Sequence, residues 1–313
     1  MAKANDERAR IDELLAPYRI DDPKSFNLSK HDPGSTDGVK SKAAATQRLT
    51  DGIERLTDLQ TRLAAQETYG VLLALQAMDA AGKDGTIRHV MTGLNPQGVR
   101  VVSFKSPSTE ELAHHFLWRT TRDLPRRGEI GIFNRSHYEE VLVVRVHPEF
   151  LAGQHLPPAA TTGNIWKRRF REINDWERNL VDNGFPIVKV FLHMSADEQR
   201  RRILSRIDTP AKNWKFSPLD VKERESWGDY QHAYEDMIRN TSTKNAPWYV
   251  VPAEKKWFAR LVVAEALAAT MIHIDPQFPV LSEARLTDLA KGRIELEQSE
   301  CTSVLRGGNS GFE

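Results

Sequence analysis

The sequence predicts an α/β protein built on a parallel sheet of five strands, with helices on both faces. Five short apolar segments of strand length alternate with helical segments along the chain. This alternation is typical of parallel sheets whose crossover connections are helices. The first strand leads into segment 77–86, Ala-Met-Asp-Ala-Ala-Gly-Lys-Asp-Gly-Thr. A strand followed by a glycine-containing turn and a helix is typical of phosphate-binding loops.

The elements are predicted from apolar spacing, capping residues and turn residues. Apolar residues at helical spacing between positions 53 and 63 indicate a long helix, and Ser108 with Glu111 and Ser195 with Glu198 have the spacing of capping boxes. Strands are predicted at 69–75, 98–104, 131–133, 186–192 and 248–251. Helices are predicted at 6–18, 43–66, from the glycine turn to 91, from 109 past 118, at 137–151, 164–183, 196–206, 218–240 and 254–273, with one more after 276.

Composition limits the class of protein. The chain has 313 residues, 28% charged and 40% hydrophobic, with a net charge of +1, which is ordinary for a globular protein. The single cysteine, Cys301, excludes an intramolecular disulfide and indicates a reducing compartment. The polar N-terminus has no apolar signal core, and the apolar segments are short or interrupted by charge, as at Glu265. We therefore expect a cytoplasmic protein with no membrane span.

The glycine turn supplies the first candidate site. Its phosphate-binding candidates are Ala80, Ala81, Gly82, Lys83, Asp84, Gly85 and Thr86, whose N–H groups and lysine suit anionic oxygens. Ala77 stands where the P-loop pattern has its first glycine, and Asp84 replaces the usual Ser or Thr, so no hydroxyl can hold Mg²⁺ there. A strand-to-helix turn that binds no ligand is the alternative interpretation.

Polar residues also follow the third strand. Segment 130–138 resembles a Walker B strand, with Asn134 in place of the aspartate that normally ends it. An amide adds no charge, so Asp79 becomes the candidate carboxylate for Mg²⁺. Arg135 offers a planar guanidinium suited to phosphate. The alternative is a surface arginine that pairs with Glu139 or Glu140.

Basic residues follow the fourth strand. Arg202 and Arg206 are four residues apart and share a helix face, and Lys212 and Lys215 lie in the loop after that helix. A mobile basic segment at this place would serve as a lid that neutralises a phosphoryl group during transfer. Solvated helix faces are the commoner explanation of such basic segments.

Several motifs together resemble one family. Asp79-Ala-Ala-Gly-Lys-Asp-Gly85, Phe133-Asn-Arg-Ser136 with Tyr138, Ser205-Arg-Ile-Asp-Thr-Pro210, Lys212-Asn-Trp-Lys215 and Asn245-Ala-Pro-Trp248 occur in this order. Between about residues 20 and 275 the chain is similar to the polyphosphate kinase 2 family. The resemblance implies a P-loop kinase fold like that of thymidylate kinase, with a helical lid at about 196–240. It also implies Mg²⁺-dependent phosphoryl transfer between inorganic polyphosphate and a nucleotide.

The resemblance also assigns residues. It implies that Asp79, Lys83 and Arg135 are catalytic and that Arg202, Arg206, Lys212 and Lys215 bind polyphosphate or nucleotide phosphates. Asn134, Tyr138 and Glu139 are the nucleotide-binding candidates. A glutamate at the place of Glu139 is similar to the subgroup (class III) that accepts AMP as well as ADP. Guanine nucleotides stay open as acceptors.

The chain is expected to divide into three parts. These are an N-terminal helix and extended segment at 1–40, a phosphotransferase domain at 41–275 and a C-terminal tail at 276–313. The two flanking parts are candidates for assembly of the homo-oligomer that we expect. No nucleic-acid-binding module is recognisable, so no nucleic-acid partner is expected.

Two other functions remain open from the sequence. The first is an ATP-dependent nucleoside monophosphate kinase on the same fold, which differs in its phosphoryl donor. The second is a non-catalytic polyphosphate-binding protein, in which Asn134 and the imperfect P-loop mark lost activity. Asp79, Lys83 and Arg135 together argue against the second.

Overall fold

The sheet is parallel and has five strands, as the sequence predicts. A computed structural model describes residues 2–306, with side chains described for residues 6–298. The strands lie in the order β2-β3-β1-β4-β5. Their bounds are β1 Val71–Ala77, β2 Val99–Ser103, β3 Ile130–Asn134, β4 Ile187–His193 and β5 Trp248–Pro252. Every neighbouring pair is parallel, so the carboxyl ends of all five strands lie at one edge.

Helices cover both faces of the sheet. The α-helices are α1 Ala2–Leu15, α2 Lys42–Gln66, α3 Lys83–Val90, α4 Thr109–Ala113, α5 Trp118–Arg122, α6 Val143–Val146, α7 Pro158–Thr161, α8 Ile165–Asp182, α9 Ala196–Ile207, α10 Pro218–Lys222, α11 Trp227–Thr241, α12 Lys256–Ile274 and α13 Glu283–Arg306. Side chains of α1, α2, α3 and α12 pack with one face of the sheet, and those of α8 and α11 with the other. The P-loop kinase fold expected from the sequence is therefore confirmed.

Strand β1 is buried along its whole length because it lies between β3 and β4 and is covered on both faces. Its odd-numbered residues Leu73 and Leu75 point into the cluster formed with α2 and α12. Leu72 points to the opposite cluster. A strand buried on both faces has a continuous apolar sequence rather than an alternating one.

The N-terminal segment packs onto the sheet edge. Ile20 donates its N–H to the carbonyl of Trp248, and Val250 donates to the carbonyl of Tyr18, which extends β5 by an antiparallel contact. Residues 2–277 form one compact unit, and residues from 278 onward form a second. The second unit contains α13, and the glycine-rich end of the chain lies outside the described residues.

Three predicted helices are broken in the structure. The helix predicted at 218–240 is not continuous, because α10 ends at Lys222, a 3₁₀ turn spans Glu223–Ser226 and α11 begins at Trp227. The predicted continuous helix after Ser108 is wrong, because α4 ends at Ala113 and α5 begins at Trp118. The His114 ring stacks on Trp118 across this break, with ring centroids 4.0 Å apart. Segment 137–151 is a series of 3₁₀ turns around the four-residue α6 rather than one helix. The Ser108 capping box is confirmed.

Helix α12 is more apolar than the sequence analysis allowed. By length and composition it could cross a membrane, so the expectation that no segment could do so is wrong. In the structure 61% of its apolar window is buried, and it packs along α2. Its one acidic residue, Glu265, is buried and pairs with Arg48 and Arg55 of α2. This is the environment of a core helix, for which the membrane test is weak evidence.

The last residue of β4, His193, gives the fold a pH-sensitive point. Burial lowers the pKa of His193 to about 4, with His31 adding to the effect and Asp32 opposing it. Unfolded histidine titrates near 6.5, so between these pH values the unfolded chain binds more protons than the folded chain. Stability therefore falls as the pH decreases through this window, by up to about 1.4 kcal/mol per pH unit for this one group.

We expect His193→Gln to flatten this part of the stability profile. The measurement is urea unfolding of wild type and variant at pH 7, 6 and 5. His232→Gln is the matched control, because His232 is exposed. Parallel profiles for wild type and the His193 variant would contradict the assignment.

Candidate active site

The turn after β1 has the backbone shape of a phosphate-binding loop. Ala80 and Gly82 have positive φ angles of 67° and 106°, and Gly82 is the N-cap of α3. The first N–H groups of α3 have no acceptor within the helix, and they favour an anion at that end. Thr86 does not belong to this set, because its N–H donates to the carbonyl of Gly82 and its side chain is buried. The N–H groups of the turn that precede Thr86 are therefore the ones free of this helical bond, and phosphate binding by Thr86 stays a prediction.

Lys83 folds back over the loop that carries it. Its Nζ donates to the carbonyl of Ala77 at 2.8 Å and lies 3.9 Å from Asp79 Oδ1. Burial raises the pKa of the Asp79 carboxyl, but Lys83 and Arg135 more than offset this, and the pKa lies below its ordinary value. Asp79 is therefore an anion that already neutralises two cations of the site.

Arg135 stands at the end of β3 in a left-handed turn, with φ at 63°. Its guanidinium donates to Asp79 Oδ1 at 2.6 Å and to Glu139 Oε2 at 3.1 Å. The carboxylate of Glu139 raises the pKa of Arg135. Burial lowers this pKa, but Asp79 raises it further, and the pKa lies above its ordinary value. A positive φ is costly for a residue with a side chain, and such strain is commonly found at functional sites. The structure thus brings together the three predicted catalytic residues.

The Gln76 amide holds the turn after Arg135. With its nitrogen towards Glu139, it donates to Oε1 at 2.9 Å and accepts from the hydroxyl and N–H of Ser136 at 2.9 and 3.0 Å. This orientation satisfies both ends of the amide. Both oxygens of Glu139 therefore have partners in the protein. The sequence analysis did not identify Gln76, a polar residue inside an otherwise apolar strand.

The side chain of Asn134 is directed towards the P-loop. Its Nδ2 donates to Asp84 Oδ1 at 2.8 Å, and Ser103 Oγ is 3.4 Å away. The amide thus bridges the carboxyl ends of β3 and β2 to the first turn of α3. Among the described residues no group of three or more His, Cys, Asp or Glu side chains could hold a metal ion.

The guanidinium of Arg202 is bonded to the protein itself rather than exposed to a ligand. It is 6% exposed, and its guanidinium donates to the carbonyls of Ala81 and Ala253, at 2.7 and 2.6 Å, and to Glu198 at 2.6 Å. It also donates to the carbonyl of Ala80. All its donors are used within the protein, so Arg202 clamps the P-loop to the loop after β5. A contact between Arg202 and polyphosphate would require these bonds to be exchanged, and it stays a prediction.

The other predicted lid cations remain accessible. Lys212 and Lys215 are exposed, and Lys215 Nζ lies 4.9 Å from the ring centroid of the exposed Trp214. Arg206 pairs with Asp220 at 2.9 Å, and burial raises the pKa of Asp220. These residues follow β4 in α9, a 3₁₀ turn and α10, which form the predicted basic segment beside the site.

Tyr138 is not at the site surface. It is completely buried, and its hydroxyl donates to Glu177 and accepts from Lys189. Its predicted contact with a nucleotide stays a prediction, and in this structure the hydroxyl is bonded within the core. The capping box predicted at Ser195 is also incomplete, because the Glu198 side chain pairs with Arg201 and Arg202 instead of the N-cap.

Two cavities meet at Arg135. A cleft between the P-loop and the lid is lined by Asp79, Arg135, Glu139, Gln199, Asp220, Tyr230 and Tyr234, among others. A larger cavity of about 360 Å³ is lined by Phe104, Lys105, Arg119, Arg135, Glu139 and Phe150, among others. Arg135 and Glu139 line both. Sequence reasoning missed Tyr230 and Tyr234, which carry no motif signal and reach the cleft only through the packing of α11.

The fold and this site define a P-loop phosphotransferase. The sequence profile of the family described as Polyphosphate kinase 2 (PPK2) matches residues 39–279, and the chain belongs to that family. A curated relative from Rhodopseudomonas palustris, "ADP-polyphosphate phosphotransferase", is 49% identical over 280 residues, which is 89% of this chain and 97% of the relative.

Two further proteins are similar to this chain over most of its length. "AMP/ADP-polyphosphate phosphotransferase" of Meiothermus ruber is 47% identical over 85% of this chain and 96% of its own length. The crystal structure of polyphosphate kinase 2 from Arthrobacter aurescens TC1 superposes with a TM-score of 0.77 at 40% identity, covering 86% of this chain and 93% of that chain.

We expect Arg202→Lys to lower turnover at least tenfold, or about 1.4 kcal/mol in the barrier. A lysine ammonium cannot reach the carbonyls on both sides, so the P-loop loses its clamp and the free energy of unfolding falls by about 3 kcal/mol. Steady-state kinetics and chemical unfolding measure the two effects. The neighbouring Arg201→Ala is the control, because Arg201 pairs with Glu198 but is 69% exposed. A variant that changes only the KM for polyphosphate would instead indicate direct contact with that substrate.

Proposed function

We propose that this protein transfers phosphoryl groups between inorganic polyphosphate and AMP or ADP, in both directions. The observation that carries the proposal is the position of Arg135. It pairs with Asp79 of the P-loop and lines both the cleft beside the lid and the 360 Å³ cavity. A cation at the junction of two cavities can contact a phosphoryl group that passes from a donor in one to an acceptor in the other.

The larger cavity suits a nucleotide. It combines the aromatic side chains Phe104 and Phe150 with the cations Lys105 and Arg119 and opens onto Arg135. Apolar walls with a few placed polar groups are typical of small-molecule sites. Relatives are named for ADP and for AMP/ADP, which supports adenine nucleotides as acceptors. That AMP is an acceptor as well as ADP is the more specific part of the proposal, and it rests on Glu139.

The reaction needs positioning and charge neutralisation. A terminal oxygen of the nucleotide attacks the end phosphorus of polyphosphate in line, forming a new P–O bond while the bridging P–O bond to the next phosphate breaks. Lys83 and Arg135 exchange their bonds to the loop carbonyl and to Asp79 for bonds to the phosphoryl oxygens. Asp79, released from Arg135, orients the attacking group.

The residues present fit Mg²⁺ that arrives with phosphates. Mg²⁺ usually binds one or two carboxylates and completes its shell with phosphate oxygens and water. Asp79 is an ionised carboxylate that lines the cleft, and Asp84 lies at the start of α3 with one oxygen held by Asn134. Bound there, the ion would neutralise phosphate charge. Asp79 and Asp84 are the residues that would hold it.

A group of cations gives the polyphosphate chain a path away from the P-loop. Burial and then Arg202, Arg260 and Lys212 lower the pKa of Lys256, and burial and then Arg88 lower the pKa of Arg260. These cations come from α3, α12 and the lid and influence one another. A strongly charged polyanion favours such a group of mutually repelling cations.

We expect product from polyphosphate and little from ATP as donor. The measurement is a matrix of donors (long-chain polyphosphate or ATP) and acceptors (AMP, ADP, GMP, GDP) with Mg²⁺, with the products separated by chromatography. Asp79→Asn and Lys83→Ala should each lower turnover more than tenfold, because they remove the anion and the cation beside the transferred group.

Asp175→Asn, an exposed aspartate of α8, is the matched control for Asp79→Asn. Product from ATP alone would favour a nucleoside monophosphate kinase. Binding of polyphosphate without product would favour a non-catalytic binding protein.

We expect Arg260→Ala to raise the KM for long-chain polyphosphate several-fold and to leave the KM for tripolyphosphate within twofold. We expect a short chain to end before it reaches Arg260, so that only the long chain loses a contact. The salt dependence of the long-chain KM should become less steep, because one counterion-releasing contact is removed. Arg171→Ala is the control, because Arg171 is exposed on α8 on the opposite face of the sheet. Equal increases in the KM for long-chain polyphosphate and for tripolyphosphate would indicate that Arg260 contacts the end of the chain that reacts.

Assembly into a homo-oligomer and a cytoplasmic location stay predictions from the sequence.

A further inference from the structure

A buried ion pair lies between the sheet and helices α8 and α11. Lys189 is in the middle of β4 and Glu177 is on α8, and both are essentially inaccessible to solvent. Lys189 Nζ lies 2.6 Å from Glu177 Oε2. Tyr138 joins both partners, because its hydroxyl donates to Glu177 Oε1 at 2.6 Å and accepts from Lys189 at 3.0 Å. His137 Nε2 lies 3.3 Å from the same Glu177 oxygen.

The hydrogen bonds indicate that both partners are charged. Lys189 Nζ has three acceptors, the third being the carbonyl of Thr241 at 2.6 Å, and an ammonium has three donors. Burial alone would raise the pKa of Glu177, but Lys189 and His137 hold that pKa below its ordinary value. Burial lowers the pKa of His137, so this imidazole is neutral and donates through Nε2. A fully satisfied charge pair therefore lies in the apolar core.

Stability alone does not explain such a pair. Taking two charges out of water commonly costs more than their attraction returns, and apolar residues of similar size often stabilise a protein better. The surroundings would accept apolar side chains, because Tyr138 and Trp248 lie against Lys189 and belong to a large hydrophobic cluster. A directional pair fixes the elements that carry its partners in a way that apolar contacts do not.

The elements joined by this pair are those that border the active site. His137 and Tyr138 belong to the turn that begins at Arg135 and ends at Glu139, so their buried side chains fix the far side of that turn. Thr241 is the last residue of α11, so its carbonyl receives no N–H from within the helix. Lys189 donates to this carbonyl instead. The same helix carries Tyr230 and Tyr234 into the cleft beside Arg135.

We infer that Glu177 and Lys189 are positioning residues for phosphoryl transfer, which hold the 135–139 turn in a fixed place relative to α11. The inference rests on the proposed function for its kinetic consequence. Neither residue lines the two cavities at Arg135, so their effect passes through the placement of Arg135 and Glu139. The strained backbone at Arg135 gives this support its purpose, because an unsupported turn would relax away from φ 63°.

The test removes the pair without leaving an unpaired buried charge. The double variant Glu177→Leu, Lys189→Met replaces both charges by apolar side chains. It should fold but unfold at a lower denaturant concentration than wild type, because the Tyr138 hydroxyl, His137 Nε2 and the Thr241 carbonyl lose their partners. We expect its kcat to fall at least tenfold, with the KM for nucleotide and for polyphosphate changed less than threefold. Hydrogen exchange of segment 134–141 should become faster, while exchange in β2 stays unchanged.

Tyr138→Phe is the second variant, since it keeps the ion pair and removes the hydroxyl that contacts both of its partners, while the His137 contact with Glu177 remains. It should fold normally and lower kcat several-fold, with faster exchange in the same segment. Glu265→Gln is the matched control, because it disturbs a buried carboxylate paired with arginines on the other face of the sheet. It should lower stability and leave kcat unchanged.

Two results would overturn the inference. One is a folded double variant with kcat within threefold of wild type and unchanged exchange in segment 134–141. The other, if the double variant does not fold, is a Tyr138→Phe protein with wild-type kcat and exchange. If wild type itself transfers no phosphoryl group, the proposed function fails, and the exchange measurements alone still decide whether the pair holds the turn.

Discussion

The central position of β1 is the constraint on which the rest of the structure depends. This strand is hydrogen-bonded to β3 on one side and β4 on the other and is buried on both faces, so its register fixes both neighbours. All strands run in one direction, and the segments that follow β1, β3 and β4 therefore leave the sheet at the same edge. Because the apolar faces are covered by helices, that edge is where polar backbone and charged side chains can gather.

The charges at this edge neutralise one another. Asp79 holds Lys83 and Arg135, and Glu139 holds Arg135 from the other side. Such an arrangement keeps two cations close together without a bound phosphate, and each bond can be exchanged for one to a phosphoryl oxygen. In the proposed reaction the cations are therefore already close together when a polyanion enters, and their bonding partners change. Arg202 differs from these cations, because its donors are all committed to the protein and it shapes the loop instead.

The predicted catalytic residues that the structure brings together share a local signal. The P-loop turn depends on a strand, a glycine and a lysine that are contiguous in the chain, and Arg135 follows directly from the end of β3, so spacing alone locates them. Two other predicted site residues, Arg202 and Tyr138, instead bond to partners that are distant in the chain. Arg202 has the sequence context of an exposed basic helix. Its side chain nevertheless donates to the carbonyls of Ala81 and Ala253, which are 121 and 51 residues away in the chain. Tyr138 belongs to one of the motifs that carry the family resemblance, yet its hydroxyl bonds to residues of α8 and β4.

The sequence by itself determined the fold class, the position of the sheet edge and the identity of the catalytic candidates, because apolar periodicity, turn residues and contiguous motifs are local properties of the chain. Only the tertiary structure decided which cations face the ligand and which hold the scaffold, and which aromatic residues line the cleft. It also decided that a lysine in the middle of an apolar strand is paired with a glutamate of α8. The physical reason is burial: whether a charge faces water, a phosphate or a buried carbonyl depends on packing between segments far apart in the chain.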